Sequence, residues 1–200
     1  MEAKIEFKTI SISTQGQFKE KGSKFIAYCM PFEDEGALKK ELLIIKKDHP
    51  QARHICYAYK IGVTHVKTRA NDDGEPNNSA GTPILGQINS FNITNVLIAV
   101  VRYFGGTKLG VGGLVTAYKT AAKEAILANK ISTEVLKSTH EIQFSHLQLQ
   151  PIMRYLKTNG AKIISIDQSD MNKNQLRFEI EHHIASTLMH QLKKHLTEPS

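Results

Sequence analysis

Two groups of residues have types and spacings suited to chemistry. The first is Asp72, Asp73 and Glu75, three carboxylates inside NDDGEPNNSAGTP, a run made almost wholly of turn-forming residues. Carboxylates this close suit a hard cation, the cap of a helix, or an ion pair with Arg102, and their spacing is not that of a helix-loop-helix calcium site. The second group follows Val101 and comprises Arg102, Gly105, Gly106, Lys108, Gly110, Gly112 and Gly113, with Lys119 and Lys123 beyond them. A glycine-rich loop between a strand and a helix gathers backbone N–H groups beside the positive end of a helix dipole, and here it also carries a lysine, which is phosphate-binding chemistry. The spacing of GGTKLGVGG fits neither the P-loop nor the dinucleotide fingerprint. The alternative is a strand-to-helix turn whose glycines serve positive φ angles and close packing.

The remaining reactive residue types assemble less. Of nine histidines the densest group is His182, His183 and His190. Adjacent strand residues face opposite sides and no cysteine accompanies them, so no zinc site is assigned. Cys29 and Cys56, the only two cysteines, sit in apolar segments where a thiol acts as a small hydrophobe, as suits a reducing cytoplasm. There is no G-x-S-x-G elbow. No catalytic residue, metal or cofactor is therefore assigned. Were the chain an enzyme, Asp72, Asp73, Glu75 and Arg102 would act on a phosphorylated small molecule or nucleotide.

The elements that must position these residues are legible from periodicity. Val96 to Val101 is a six-residue apolar run of a length and composition that predict a strand buried on both faces, in the middle of a sheet. Leu114, Val115, Tyr118, Ala121, Ala122 and Ala125 then recur at helical spacing. Upstream, Ile5 to Ile12 predicts an opening strand, Gly16 and Gly22 mark turns in a lysine-rich hairpin, and Phe25 to Phe32 predicts a second strand. Leu38, Leu42 and Ile45 define a helix stopped by Pro50, and residues 53–61 alternate as a strand. The stretch from Gly62 to Pro83 reads as one long irregular loop. Ile84, Leu85, Ile88 and Phe91 mark a short helix, with Ser79 or Thr82 as its cap. One sheet with its helices on a face covers this pattern, ending near Lys130.

Residues 131–138 read as a linker to a second domain, 139–200. There the order is a strand at 141–144, a helix over Leu149 to Leu156 closed by Asn159-Gly160, and a strand at Ile163 to Ile166. A hairpin turn at SDMNKNQ leads to an alternating strand, Leu176 to Glu181, and a helix striped by Ile184, Leu188, Leu192 and Leu196. This is a split βαβ, or ferredoxin-like, order in which no final strand is evident in HLTEPS. The class is α+β.

A formal charge of +7 over 200 residues and a pI near 9.3 favour an acidic partner. The charge is unevenly spread. No Asp or Glu occurs between Glu75 and Glu124, so the glycine-rich loop lies in a cationic segment. With no tryptophan, any base-stacking ring must come from Tyr28, Tyr57, Tyr59, Tyr103 or Phe104. No stretch has the length and apolarity of a membrane span, and the charged N-terminus is unlike a signal peptide, so cytoplasmic residence is expected.

The motifs DDGEPNNSAGTPIL and NVLIAVVRYFGGTKLGVGGLVTAY, preceded by HPQARHICYAY, resemble the signature of the YigZ/IMPACT family in its bacterial two-domain form. The resemblance implies an N-terminal domain like the second domain of ribosomal protein S-five and the fourth domain of elongation factor G. It implies a C-terminal ferredoxin-like domain similar to the fifth domain of that factor. Two positions depart from the family's pattern. Asn78 and Lys119 stand where glycine is usual; asparagine tolerates the left-handed conformation well, and the lysine adds a cation. The family's eukaryotic branch acts in translational control through protein contacts. The expectation is a translation-related regulatory module that contacts RNA, the ribosome or a translation factor through the basic loop. Its alternatives are the enzyme above and a purely protein-binding regulator.

Overall fold

The computed structural model describes residues 3–168 and 174–197. The chain divides into two compact units, Phe7–Glu134, and Met1–Glu6 with Val135–Ser200. The 131–138 stretch read as linker holds a strand and the start of another.

The larger unit is built on a five-stranded sheet. Its strands are β2 (Thr14–Glu20), β3 (Ser23–Pro31), β4 (His54–Ile61), β5 (Lys67–Asn71) and β6 (Val96–Tyr103). β1 (Glu6–Ile10) lies outside it and pairs instead with β7 (Ile131–Val135). The sheet order is β2-β3-β6-β4-β5, and every neighbouring pair is antiparallel. The apolar run therefore forms the central strand, as expected. It is buried on both faces because the helices cover both, not one face as the sequence pattern implied. Val96, Ile98 and Val100 face α2 (Gly81–Ser90) and α3 (Gly110–Leu127), while Leu97, Ala99 and Val101 face α1 (Leu38–Asp48). Each of these buried Val, Leu and Ile side chains contributes roughly 1.5–3 kcal/mol.

Three local expectations are corrected. Gly16 lies inside β2, where a Cβ would come within 2.2 Å of the Ala125 backbone nitrogen; its role is close strand-to-helix packing, not a turn. The long loop is interrupted by β5, an exposed edge strand hydrogen-bonded to β4 but lacking apolar alternation. Neither Ser79 nor Thr82 caps α2. Ser79 Oγ donates to the Pro76 carbonyl at 2.6 Å and Thr82 Oγ1 to Asn78 Oδ1 at 2.9 Å.

The smaller unit has β8 (Lys137–Phe144), α4 (Leu149–Thr158), β9 (Lys162–Asp167), β10 (Asn174–Glu181) and α5 (His182–Thr197). The spatial order β8-β10-β9 is antiparallel throughout, with Ile142, Phe178, Leu156 and Leu192 in its core. This is the predicted β-α-β-β-α succession. The expected hairpin turn lies mostly outside the described residues, at 169–173. The Leu196 side chain and the end of HLTEPS, 198–200, lie outside them too.

Candidate functional site

β6 ends at Tyr103 and the chain turns at Gly105, whose N–H donates to Ser23 Oγ at 3.1 Å. A Cβ there would lie 1.9 Å from the Gly22 carbonyl carbon, so the loop is pressed against the β2–β3 turn and only glycine fits. α3 then begins at Gly110, with φ of 71°, and no side chain caps its first turn. Its leading N–H groups keep the positive end of an eighteen-residue helix uncovered.

The three loop carboxylates have separate tasks. Asp72 accepts the N–H groups of Asn78, Ala80 and Gly81 at 2.8, 2.9 and 2.8 Å, so it caps α2 from a distance. Asn78 adopts a φ of 61°, the left-handed conformation that asparagine tolerates. Asp73 Oδ2 accepts the Ile55 N–H at 2.6 Å, and its carbonyl accepts from His54 Nδ1 at 2.6 Å, which places a proton on that nitrogen. Glu75 alone turns inward. Its Oε1 accepts from Arg102 Nη1 at 2.6 Å and from the Tyr118 hydroxyl at 2.8 Å, with side-chain exposures of 4% for Glu75 and 9% for Arg102.

Behind this pair the Cys56 thiol lies 3.3 Å from the Tyr118 oxygen and 3.0 Å from the Asp72 carbonyl. Burial, then the neighbouring Cys56 and Glu75, push the Tyr118 hydroxyl far above its ordinary pKa; burial does the same to the Cys56 thiol. Neither ionises near neutrality. The Arg102 guanidinium carbon sits 5.6 Å from the Phe25 ring centroid and 5.7 Å from that of Phe104. Arg102 Nε is buried and has no hydrogen-bond partner among the described residues.

Arg102 lines a cavity of about 460 Å³. Glu75 and Pro76 form one wall, Phe104, Lys108 and the start of α3 another, and Arg53 and His54 a third. The structure thus brings together Glu75, Arg102, Lys108 and Gly110 from the two runs. Asp72 and Asp73 are not among its lining residues. Gly112 and Gly113 line a neighbouring cavity of about 290 Å³ with Phe18, Glu20 and Lys21. Lys119 and Lys123 are exposed on α3, but at about 1.5 Å rise per residue they lie roughly 14 and 20 Å along the axis from Gly110.

Some contributors escaped the sequence reading. In the sequence Arg53 and His54 mark only the start of a strand, and Tyr118 only a helix face. Their roles depend on contacts across 20 to 60 residues of chain that no local pattern records. Of the candidate stacking rings, Tyr57 and Tyr59 are buried at 6% and 2% exposure, and the Tyr28 and Tyr103 hydroxyls bracket the ring of His49 at 2.5 and 2.7 Å. Phe104 is 55% exposed at the cavity. Among the described residues no group of three or more His, Cys, Asp or Glu is placed to hold a metal ion, and no helix is long and apolar enough to cross a membrane.

Residues 21–126 match the Impact N-terminal domain. The IMPACT family member YigZ of Escherichia coli is 32% identical over 74% of this chain and 73% of its own length. The IMPACT family member YvyE of Bacillus subtilis is 39% identical over 52% of this chain, a match that spans 48% of the relative. A crystal structure of a hypothetical protein is similar over 94% of this chain and 92% of its own, at 27% identity and a TM-score of 0.74.

Proposed function

Because this chain belongs to the IMPACT family, we propose that it is a translation-related regulatory binding protein, acting in the cytoplasm, whose cavity at the start of α3 receives a phosphate-bearing segment of RNA. The observation that carries this reading is a cavity lined by Arg102 and by the exposed cations Arg53 and Lys108, beside an uncapped helix N-terminus. Cations and free helix N–H groups converging on one cavity are the chemistry that holds a phosphate. Lys108 and Arg53 supply exposed positive charge at the rim. Phe104, with Leu109 and Leu114 beside it, offers an apolar face on which a base stacks. Gly110 lines the cavity and Gly112 and Gly113 line its neighbour; with Gly105 and Gly106 in the preceding turn, their backbone is assigned to phosphates nearby, and Lys119 and Lys123 to phosphates further along the same strand of RNA. The likeness to elongation-factor domains implied by the sequence motifs supports a partner of the translation machinery.

No catalytic residue is assigned, since Asp72, Asp73 and Glu75 are each engaged in hydrogen bonds that hold the fold. The test is fluorescence anisotropy with a short single-stranded RNA, over a salt series, for the parent and for Arg53→Ala with Lys108→Ala. Each phosphate contact removed should flatten the slope of log affinity against log salt by roughly 0.7, so the double variant should bind more weakly and with a slope shallower by about 1.4. Equal and salt-insensitive binding by both proteins would overturn the reading.

A further inference from the structure

A second surface on the larger unit has a different character. Between α1 and the first residues of β4 runs a groove of about 490 Å³. Its floor is aliphatic, formed by Leu38, Leu42 and Ile55 with the edge of Tyr57. α1 buries Leu38 and Ile45 against the sheet, yet it leaves Leu43 54% and Ile44 45% exposed. Lys39, Leu43 and Lys46 recur at i, i+4 and i+7, so a cation, an apolar side chain and a cation share one face, and all three line the groove. Arg53 stands on the opposite bank.

The charge around this groove is positive on balance, with Lys39, Lys46 and Arg53 against a single carboxylate among the described residues. That carboxylate, Asp73, is turned to the Ile55 N–H at 2.6 Å. Glu41 and Asp48 fall, by helical spacing, on the side of α1 away from the Lys39 face. Lys46 Nζ donates one hydrogen bond to the Ala52 carbonyl at 2.5 Å, which leaves two of its N–H groups for another acceptor.

We propose that this groove docks an acidic amphipathic segment of a protein partner, with the partner's aliphatic side chains on the Leu38–Leu42–Leu43 floor and its carboxylates on Lys39, Lys46 and Arg53. Charge complementarity selects the acidic partner. The floor selects protein over nucleic acid, because it has no exposed ring on which a base could stack: Tyr57 is only 6% exposed. A partner helix laid along such a groove would read as apolar anchors at i, i+3 or i+4 and i+7 with acids between them. The groove shares Arg53 with the cavity at α3, but Lys39 and Leu43 do not line that cavity, so variants there separate this inference from the RNA reading.

The test uses the full chain, a fluorescein-labelled peptide of leucine, glutamate and aspartate at helical spacing, and amide-resonance mapping of the bound state. Saturable binding is expected, with the shifted amides confined to α1 and residues 53–57. Lys39→Glu combined with Leu43→Ser should weaken binding about tenfold or more. Both positions are exposed, so the melting temperature and the RNA affinity should stay unchanged in that variant. Absence of saturable binding, or equal affinity of the double variant, would overturn the proposal. So would equally tight binding of a peptide with the same charge but serine for leucine, because the groove would then act as a charge patch only. Displacement of the peptide by single-stranded RNA, with loss of RNA binding in the double variant, would reassign the groove to nucleic acid and end the proposal.

Discussion

Glu75 is the residue at which the carboxylate run and the cationic run meet, and it does so inside the protein. A buried ion pair is weak evidence for net stability, but removing one partner strands the other charge in a low-dielectric interior. Glu75→Ala should therefore lower the unfolding free energy by about 3 kcal/mol in urea titrations, whereas Tyr118→Phe, which removes one donor to the same oxygen, should lower it by about 1 kcal/mol. Asp72→Ala strands the N–H groups of Ala80 and Gly81 at the start of α2 and that of Asn78 in the loop before it, and should remove about 2 kcal/mol, measured the same way. The types of these residues could be read from the sequence, and the pairing of Glu75 with Arg102 was one of the options their charges offered. Which acid paired could not be read, because Asp72, Asp73 and Glu75 are chemically similar and only the path of the loop turns one of them inward.

At the scale of elements, glycines that look alike in sequence separate by what surrounds them. Gly16 in β2 faces the α3 backbone at a distance that admits no side chain, so Gly16→Ala should destabilise by about 2 kcal/mol or more as strand and helix are forced apart. Gly112, in the first turn of α3, has open space where a Cβ would go. Gly112→Ala should stabilise the protein by about 0.5–1 kcal/mol through helix propensity, with thermal unfolding as the readout. β6 was legible because six consecutive apolar residues admit few alternatives to a buried strand. β5 was not, because its residues are exposed and polar and it is held mainly by backbone hydrogen bonds to β4. A strand of that kind leaves no hydrophobic period to detect.

Across the whole molecule, each compact unit has its own apolar core, with the smaller core in the unit of Met1–Glu6 and Val135–Ser200. Urea unfolding followed by residue-specific amide signals should show the smaller unit losing protection first, since buried apolar area sets most of the stability. Alkaline pH should act on the larger unit. Burial raises the Cys29 thiol from 9.0 to about 12. A raised pKa favours the protonated thiol in the folded state, so its contribution is complete below about pH 9 and is lost as the pH climbs toward about 12. Unfolding free energy measured from about pH 8 to about 11 should fall, and Cys29→Ala should shrink that fall while lowering stability at neutral pH.

The sequence by itself determined the central strand, the glycine-rich turn into α3, the α+β class and the family, because apolar period, turn chemistry and contiguous motifs are local and survive without knowledge of contacts. That helices cover both faces of the sheet follows from long-range packing alone. Tertiary contacts alone show that Asp72 and Asp73 serve the backbone while Glu75 holds Arg102, and that Lys119 and Lys123 stand well away from the cavity that Lys108 lines. These facts depend on where distant segments cross, and the free energy that selects the crossing is shared among many buried side chains rather than written at any one position.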